Sequence, residues 1–354
     1  MAKTGSRPGA HRKNTPAAAK APAKKIQTRE PEPPKVGSNI PLDLQQRCLD
    51  IFRDALRPDD SDAAILQEVK GHLYNRDFAT AFGKEDYLRV YASRWSPSRA
   101  LAYLDVLASL HEYLELSHRQ DSESRLRIAC LGGGAGGELV ALAAWASGLA
   151  GADASNSAFK LDLDLVDMAD WHRVTEDLHR HATTPPELSK YASQAKRDAN
   201  RALVEPESFS SRFHQLDVLA IDSASRESLV SLLGEADLVT FMFTLNELYS
   251  TSLPSTQALL SRITETMRPG SHLLVVDSPG SYSTVSLNGA EKKYPMQWLL
   301  DYTLLSSQKG RDDEEPKWEK VVSDESRWFR LSKQLRYPIL LEDMRFQMHL
   351  YRRK

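Results

Sequence analysis

The fold is decided by the stretch Leu126-Arg-Ile-Ala-Cys-Leu-Gly132-Gly-Gly-Ala-Gly-Gly-Glu138-Leu-Val140. The short apolar segment before Gly132 is typical of a buried strand, and the residues from Glu138 onward favour a helix. Five glycines among six residues separate the two. Because glycine has no Cβ, such a turn lets a ligand reach the main chain, where the helix start offers free N–H groups. The stretch therefore predicts a strand, a turn that cradles a nucleotide-type cofactor, and a helix.

The glycine spacing by itself leaves two cofactor classes open. Gly132, Gly134 and Gly137 fit the G-x-G-x-x-G pattern of dinucleotide-binding folds. Gly132, Gly134 and Gly136 fit the G-x-G-x-G pattern of S-adenosylmethionine (SAM) methyltransferases, and Gly133 belongs to the same predicted cradle. The remainder of the chain must distinguish the two.

Charge is distributed unevenly along the 354 residues, whose net charge is −2. Residues 1–36 carry nine Lys or Arg against two Glu, and residues 317–354 carry ten against five acidic residues. Basic ends on an acidic body indicate a polyanionic partner. Residues 1–40 are rich in Lys, Ala and Pro, which predicts a disordered basic tail that serves as a nuclear or nucleolar address.

Cysteine usage and hydropathy exclude several classes of protein. Cys48 and Cys130 are the two cysteines, too few for a disulfide framework or a metal site, so no bound metal is predicted. The chain has no run of about 18 apolar residues, which argues against a membrane partner. The polar, basic N-terminus lacks the apolar region of a secretory signal.

Apolar residues recur at helical spacing from Asp43 onward, which predicts an N-terminal helical subdomain over residues 41–120. Within it, Ser96 before Pro97 predicts an N-cap followed by the first position of a helix. The sheet-containing domain then occupies residues 121–354, with residues 287–328 as an insertion.

Polar residues follow the second and third predicted strands. The second strand ends at Asp167, next to Met168, and a carboxylate at this position can accept hydrogen bonds from both hydroxyls of a ribose. Asp170 is the reserve candidate for that role. The third strand ends near Asp217 and Val218, a pair that suits an adenine amine beside an apolar wall.

The fourth and fifth strands lead into the candidates for chemistry. The fourth is almost continuously apolar and runs into Thr244-Leu-Asn246-Glu247, and the fifth ends at Asp277. Ligands bind at the carboxyl ends of the strands in open α/β sheets. We therefore expect Thr244 beside the cofactor, with Asn246, Glu247 and Asp277 as catalytic residues. Capping of the next helix is the alternative role for the polar residues after the fourth strand.

The succession of elements selects the cofactor. Five strand–helix alternations followed by a C-terminal β-hairpin favour a methyltransferase sheet, because a dehydrogenase of this length would need a second domain for its substrate. Only helices and the tail precede the glycine turn. The chain is therefore predicted to be an α/β protein that binds SAM, with Trp171 as a candidate to stack on the adenine.

Further segments carry a more particular signal. They are Tyr91-Ala-Ser-Arg94-Trp95-Ser-Pro-Ser-Arg99-Ala-Leu-Ala-Tyr103, Cys130 to Leu142 around the glycines, Phe243-Thr-Leu-Asn-Glu-Leu-Tyr249, Trp328-Phe-Arg and Tyr337-Pro. Together they resemble the fungal large-subunit (25S) ribosomal RNA uridine-N3 methyltransferases. The resemblance implies a Rossmann-like, class I SAM-dependent fold with six parallel strands and one antiparallel. It also implies nucleolar action on ribosomal RNA or pre-ribosomal particles, with a uracil ring nitrogen as methyl acceptor.

The resemblance also bears on individual residues. Cys130 stands where an acidic residue often precedes the glycines of SAM enzymes, so the amino-acid end of SAM is expected to meet Glu138 or Arg94. Since a ring N–H must lose its proton, Glu247 or Asp277 is the expected base.

The fourth strand also limits the acceptor chemistry. No Pro-Cys follows it, which argues against cysteine-dependent methylation of pyrimidine C5. No Asn/Asp-Pro-Pro-aromatic motif follows it either, which argues against exocyclic amines. Tyr282, Trp298 and Trp328 are candidates to stack the target base, with core packing as the alternative for each.

Two other function classes stay open. One is a SAM-dependent methyltransferase that acts on a protein or a small molecule, for which the basic tail would be only a localisation signal. The other is a SAM-fold ribosome-assembly factor that binds RNA or proteins without catalysis.

Overall fold

The computed structural model describes residues 39–114, 125–152, 160–220, 223–280, 282–287, 290–305 and 315–354. The basic tail predicted for residues 1–40 lies outside the described residues except for its last two positions. The first described element is a helix that begins at Leu42.

A seven-stranded sheet forms the centre of the fold. Its strands are β1 Arg125–Leu131, β2 Lys160–Asp167, β3 Phe209–Gln215, β4 Leu238–Met242, β5 His272–Asp277, β8 Trp318–Phe329 and β9 Met344–Arg353. They lie side by side in the order β3-β2-β1-β4-β5-β9-β8. β1 to β5 pair in parallel, whereas β9 is antiparallel to both β5 and β8. Six strands therefore run one way and one runs the other, which confirms the predicted α/β sheet.

Helices cover both faces of this sheet. In the described part of the chain they are α1 Leu42–Leu56, α2 Asp62–Tyr74, α3 Phe78–Ala81, α4 Glu85–Leu110, α5 Gly137–Ala152, α6 His172–Thr183, α7 Gln194–Asp198, α8 Ser223–Glu235, α9 Leu245–Thr251, α10 Leu253–Thr266 and α11 Met296–Leu305. Side chains of α1, α4, α5 and α6 share one core with Leu274 and Val276 of β5. Those of α8 to α11 share the other with Leu273 and Val275. Successive residues of a strand point to opposite faces, so one apolar strand feeds both cores.

The helical region before β1 differs from the prediction at Ser96 and Pro97. Ser96 is not an N-cap, because α4 runs unbroken from Glu85 to Leu110 with Pro97 inside it. A proline cannot donate a hydrogen bond to the carbonyl four residues earlier, which here belongs to Ser93. The hydroxyl of Tyr337 donates to that carbonyl at 3.0 Å instead, so a residue from the far end of the chain replaces the missing helical bond.

This replacement predicts a cost for removing one hydroxyl. Tyr337→Phe leaves the Ser93 carbonyl without its donor, and we expect a loss of about 1 kcal/mol in the free energy of unfolding. In thermal denaturation this corresponds to a fall in Tm of about 2 °C. Tyr191→Phe is the matched control, because Tyr191 is 83% exposed. Equal Tm values for Tyr337→Phe and the wild type would show that the carbonyl finds another donor.

The C-terminal strands extend further than the sequence indicates. Residues 318–328, assigned above to an insertion, form most of β8, the edge strand of the main sheet. The pairing of β8 with β9 shifts register between Lys320 and Val322 and again between Asp324 and Arg327. Such irregularities break the alternation by which a strand is recognised in sequence. Between β5 and β8, the strands β6 Tyr282–Leu287 and β7 Ala290–Pro295 form a separate hairpin that leads into α11.

None of the helices in the described ranges combines the length and the apolar character needed to cross a lipid bilayer.

Candidate active site

A cavity of about 470 Å³ opens at the carboxyl edge of the parallel strands. Gly132 follows β1, Asp167 ends β2 and Asp277 ends β5, so the topology alone brings these residues to one edge. Of the residues singled out in the sequence, the cavity is lined by Gly132, Asp167, Met168, Trp171, Asp217, Val218, Thr244, Asn246, Glu247 and Asp277. Gly133, Gly134, Gly136, Glu138 and Arg94 are not among the lining residues.

The glycine loop is closely approached by side chains from neighbouring elements. Gly132 has φ +87°, and a Cβ there would lie 2.2 Å from Oγ1 of Thr244. A Cβ on Gly134 would lie 2.0 Å from Cδ1 of Trp171. Glycine is therefore required at Gly132 for a backbone angle that L-residues rarely adopt. At both positions it is also required because a neighbouring side chain occupies the space that a Cβ would take.

The carboxylate of Asp167 connects the end of β2 to the glycine loop by a hydrogen bond. It accepts hydrogen bonds from the backbone N–H groups of Gly134 and Ala169, both at 3.2 Å. Burial raises the pKa of Asp167 to about 6, against the lowering effect of these N–H donors. A carboxylate held in this way has a fixed position in the cavity wall and still has acceptor capacity for a ligand hydroxyl.

The helical region contributes an aromatic wall. Phe82 and Tyr91 line the cavity, and their rings lie 5.6 and 5.7 Å from that of the buried Trp171. Ser96 joins the region to the glycine loop, since its hydroxyl donates to the Ala135 carbonyl at 2.7 Å. The helices before β1 thus form one side of the cavity, and Trp171 both packs against them and contacts the cavity.

Glu138 lies beneath the glycine loop in a buried polar cluster. Thr240 donates a hydrogen bond to its carboxylate, and the thiol of Cys130 bonds to it as well. Burial raises the pKa of Glu138 to about 7, with a smaller contribution from the charge of Asp167. The carboxylate is therefore engaged by buried neighbours, and Glu138 does not line the cavity.

Two arginines of α4 have different surroundings. Arg94 forms an ion pair with Glu342 at 2.5 Å. Arg99 lines the cavity, donates a hydrogen bond to the hydroxyl of Tyr91 at 2.9 Å, and lies 5.3 Å from the ring centroid of Phe243. The charge of Asp277 also acts on Arg99, but Arg99 forms no ion pair at contact distance in the described ranges. Arg99 is thus a cation in the cavity wall whose direct polar contact is with Tyr91.

Arg99 was not among the predicted site residues, although the sequence of α4 contains a signal for it. Tyr91, Trp95, Arg99 and Tyr103 are spaced four residues apart, so they share one face of α4. Tyr91 and Tyr103 are close to the rings of Trp171 and Phe243 respectively. An arginine within such an aromatic stripe faces the same neighbours as the aromatic residues do.

A strained turn after β4 presents the remaining polar groups. Phe243 has φ +61°, an uncommon conformation for a bulky residue and one often found at functional sites. The Asp277 carboxylate accepts from the backbone N–H of Asn246 at 3.0 Å and of Ser278 at 2.7 Å. Burial raises the pKa of Asp277 to about 6. One carboxylate oxygen therefore holds the first turn of α9 in place, and the other binds the residue that follows β5.

Asn246 and Glu247 each have a buried oxygen without a hydrogen-bond partner. Among the described residues, neither Oδ1 of Asn246 nor Oε2 of Glu247 is paired. Buried polar atoms are nearly always paired in native structures, so unpaired ones in a cavity wall indicate a ligand-binding role. The arrangement offers a backbone cradle, an unpaired carboxylate oxygen and an unpaired amide oxygen around one space.

Comparison with known proteins agrees with this arrangement. Residues 50–352 match the family model of SAM-dependent methyltransferases. The chain is 34% identical over 328 residues to the 25S rRNA (uridine(2843)-N(3))-methyltransferase of Saccharomyces cerevisiae, covering 86% of this chain and 85% of the relative.

Similar solved structures include a SAM-dependent methyltransferase from Methanosarcina mazei (10% identity, 67% of this chain and 96% of that chain, TM-score 0.33). Another is the antibiotic-resistance methyltransferase Kmr (16% identity, 68% and 92%, TM-score 0.33). A third is the N-methyltransferase NodS from Bradyrhizobium japonicum with S-adenosyl-L-homocysteine (11% identity, 70% and 86%, TM-score 0.32).

Proposed function

Because the chain belongs to the family of SAM-dependent methyltransferases, we propose that it methylates N3 of a uridine in large-subunit ribosomal RNA. The observation that carries the substrate assignment is the similarity to the yeast uridine-N3 enzyme, which spans 86% of this chain. The cavity supports it, since an N–H acceptor requires a base and the cavity wall contains a carboxylate oxygen without a partner.

The residues present fit SAM as the cofactor. The cavity of about 470 Å³ reaches the main chain at Gly132, where the side chain of Thr244 lies against the glycine. We assign Gly132 and the loop of Gly133, Gly134 and Gly136 to the adenosyl group as a whole. Asp167 has acceptor capacity for the ribose hydroxyls, with Met168 beside it. Asp217 and Val218 would contact the adenine, with Thr244 next to Gly132.

Arg99 is assigned to the carboxylate of SAM. The two residues favoured by the resemblance are engaged elsewhere, Arg94 with Glu342 and Glu138 with Thr240. Arg99 lines the cavity, and among the described residues its direct polar contact is with the neutral hydroxyl of Tyr91. A guanidinium can bind a carboxylate through two parallel hydrogen bonds.

In the chemical step, SAM supplies a methyl group on a positively charged sulfur. We propose that the unpaired oxygen of Glu247 takes the proton from N3 of uracil. The ring nitrogen thereby becomes anionic and can attack the methyl group. The side-chain NH₂ group of Asn246 can donate to a uracil carbonyl and so orient the ring. Asp277 acts through both, because it holds the start of α9 by the hydrogen bond that it accepts from the backbone N–H of Asn246.

The proposed site of action is the nucleolus, where the substrate would be ribosomal RNA or a pre-ribosomal particle. The yeast relative is named for its action on 25S rRNA. The basic composition of residues 1–36 supports attraction to a polyanion.

Methyl transfer to purified RNA tests the proposal directly. We expect the full-length protein to transfer radiolabelled methyl groups from SAM to large-subunit rRNA, and nucleoside chromatography to identify the product as 3-methyluridine. Small-subunit rRNA is the matched control and should remain unlabelled. Label in protein, or in a nucleoside other than 3-methyluridine, would contradict the assignment of the acceptor.

A further inference from the structure

An exposed tryptophan near the end of β8 is flanked by two arginines. Trp328 is 45% exposed, and the guanidinium carbons of Arg330 and Arg345 lie 4.6 and 5.8 Å from its ring centroid. We call these three residues the tryptophan–arginine cluster. Arg330 pairs with Asp343 at 3.0 Å, whereas Arg345 donates to the hydroxyl of Ser326 at 2.8 Å. The cluster therefore combines an open aromatic surface with a charge available to an external anion.

Strand register places this cluster at the edge of the sheet where the cavity opens. Trp328 pairs with Arg345, and Asp277 pairs with Gln347. Arg345 lies two positions beyond Gln347, which is about 7 Å further along the strand in the direction of the carboxyl edge. Phe329 belongs to the core shared with α1, α4, α5 and α6, so its neighbour Trp328 points to the other side, on which α8 to α11 lie.

A second exposed aromatic feature lies on that same side. The rings of Tyr294, Trp298 and Tyr302 are stacked, with centroid separations of 4.6 and 5.3 Å and interplanar angles of 20° and 14°. Trp298 is 47% and Tyr302 is 42% exposed. We call these three residues the aromatic ladder. Other residues of α11 pack into the core beneath it, so the helix fixes the ladder on the surface.

We propose that a single-stranded RNA segment next to the target uridine binds across this side of the sheet, on the tryptophan–arginine cluster and the aromatic ladder. Bases would stack on Trp328 and Trp298, and Arg345 would pair with a phosphate. Aromatic side chains beside cations are the usual surface for unpaired nucleotides, since every base has a face that can stack. The inference rests on the proposed RNA substrate, and it assigns the contacts made outside the cavity.

The aromatic and basic contributions can be measured separately by titrating the full-length protein into a fluorescent single-stranded RNA of about 12 nucleotides. We expect Trp328→Ala and Trp298→Ala each to weaken binding by about tenfold. Arg345→Ala should weaken it less and should lower the slope of log affinity against log salt by about one. Lys190→Ala and Tyr191→Ala are the matched controls, because Nζ of Lys190 lies 5.0 Å from the ring centroid of Tyr191, a similar cation–aromatic pair between α6 and α7. Neither control should change binding.

The outcomes distinguish this inference from the proposed function. SAM affinity and Tm, measured for every variant, should equal those of the wild type, which shows that the variants are folded. Wild-type affinity for RNA in Trp328→Ala, Trp298→Ala and Arg345→Ala would overturn the inference and leave methyl transfer by the wild type untouched. Absence of methyl transfer by the wild type would instead overturn the proposed function, whatever the RNA affinities are.

Discussion

Glu247→Gln is expected to lower the turnover of methyl transfer by at least about a hundredfold, which is the usual contribution of a general base. Glutamine keeps the size of the side chain and its capacity for hydrogen bonds, but it cannot take the proton from uracil N3 at neutral pH. The Oε2 atom of Glu247 has no partner within the described residues, so no ion pair is broken by the change. Single-turnover kinetics with saturating SAM and RNA would measure the effect on the chemical step.

Asp277 is the competing candidate and provides the control for Glu247. Both of its oxygens accept backbone N–H groups, from Asn246 and from Ser278, and its expected role is to position α9. Asp277→Asn should therefore lower both turnover and Tm, whereas Glu247→Gln should lower turnover alone. SAM affinity, measured by calorimetry, should stay near the wild-type value in Glu247→Gln. Equal turnover in Glu247→Gln and the wild type would remove Glu247 from the role of base.

The difference between these carboxylates could not be recognised in the sequence. Both carboxylates come at or just after the ends of buried strands that run to the same edge of the sheet, so the pattern predicts that they share one site. It does not predict the hydrogen-bond partners of either carboxylate. Asp277 is paired because β5 ends beside the first turn of α9. The hydrogen bond from Asn246 to Asp277 joins residues that are 31 positions apart in the sequence. Strand order determines such contacts, and the sequence contains no local signal for them.

The elements at the carboxyl edge were predictable because their signals are local. The glycine loop follows from its composition, and the ends of β2, β4 and β5 follow from apolar runs that stop at polar residues. The environment of α4 was not predictable in this way. Ser96 and Pro97 carry the signal of a helix start, yet α4 passes through them because Tyr337 supplies the missing donor. A local preference was overridden by a contact 244 residues away.

The same limit applies to the basic C-terminal region. Its composition indicates a binding surface for a polyanion, but in the structure Lys320, Arg327 and Arg352 form ion pairs with Asp301, Asp105 and Glu319 respectively. Charges used in this way within the protein contribute little to a partner's attraction. In the C-terminal region, residues such as Arg345 therefore remain candidates to bind a polyanion. Most of the predicted attraction to a polyanion is then assigned to the basic residues of the tail at 1–36.

Arg99→Gln is expected to weaken SAM binding by about ten- to a hundredfold, because a charge-assisted hydrogen bond contributes about 1.5–3 kcal/mol. The matched control is Arg94→Gln, which changes the same residue type on the same helix but at the ion pair with Glu342. Its SAM affinity should equal that of the wild type. Calorimetry measures both values without any methyl acceptor, so the result does not depend on the identity of the RNA.

A second ligand separates loss of the carboxylate contact from general damage to the cavity. 5′-Methylthioadenosine keeps the adenosyl group of SAM and its methylated sulfur, as an uncharged thioether, but lacks the amino-acid chain with its carboxylate. Arg99→Gln should therefore bind it as tightly as the wild type does. Arg99 also donates to Tyr91 at 2.9 Å, and distortion of the aromatic wall would weaken both ligands equally. Selective loss of SAM affinity therefore assigns Arg99 to the carboxylate. If Arg99→Gln loses affinity for both ligands, Arg99 instead supports Tyr91 in the cavity wall. If only Arg94→Gln loses affinity for SAM, the carboxylate of SAM binds Arg94, as the sequence indicated.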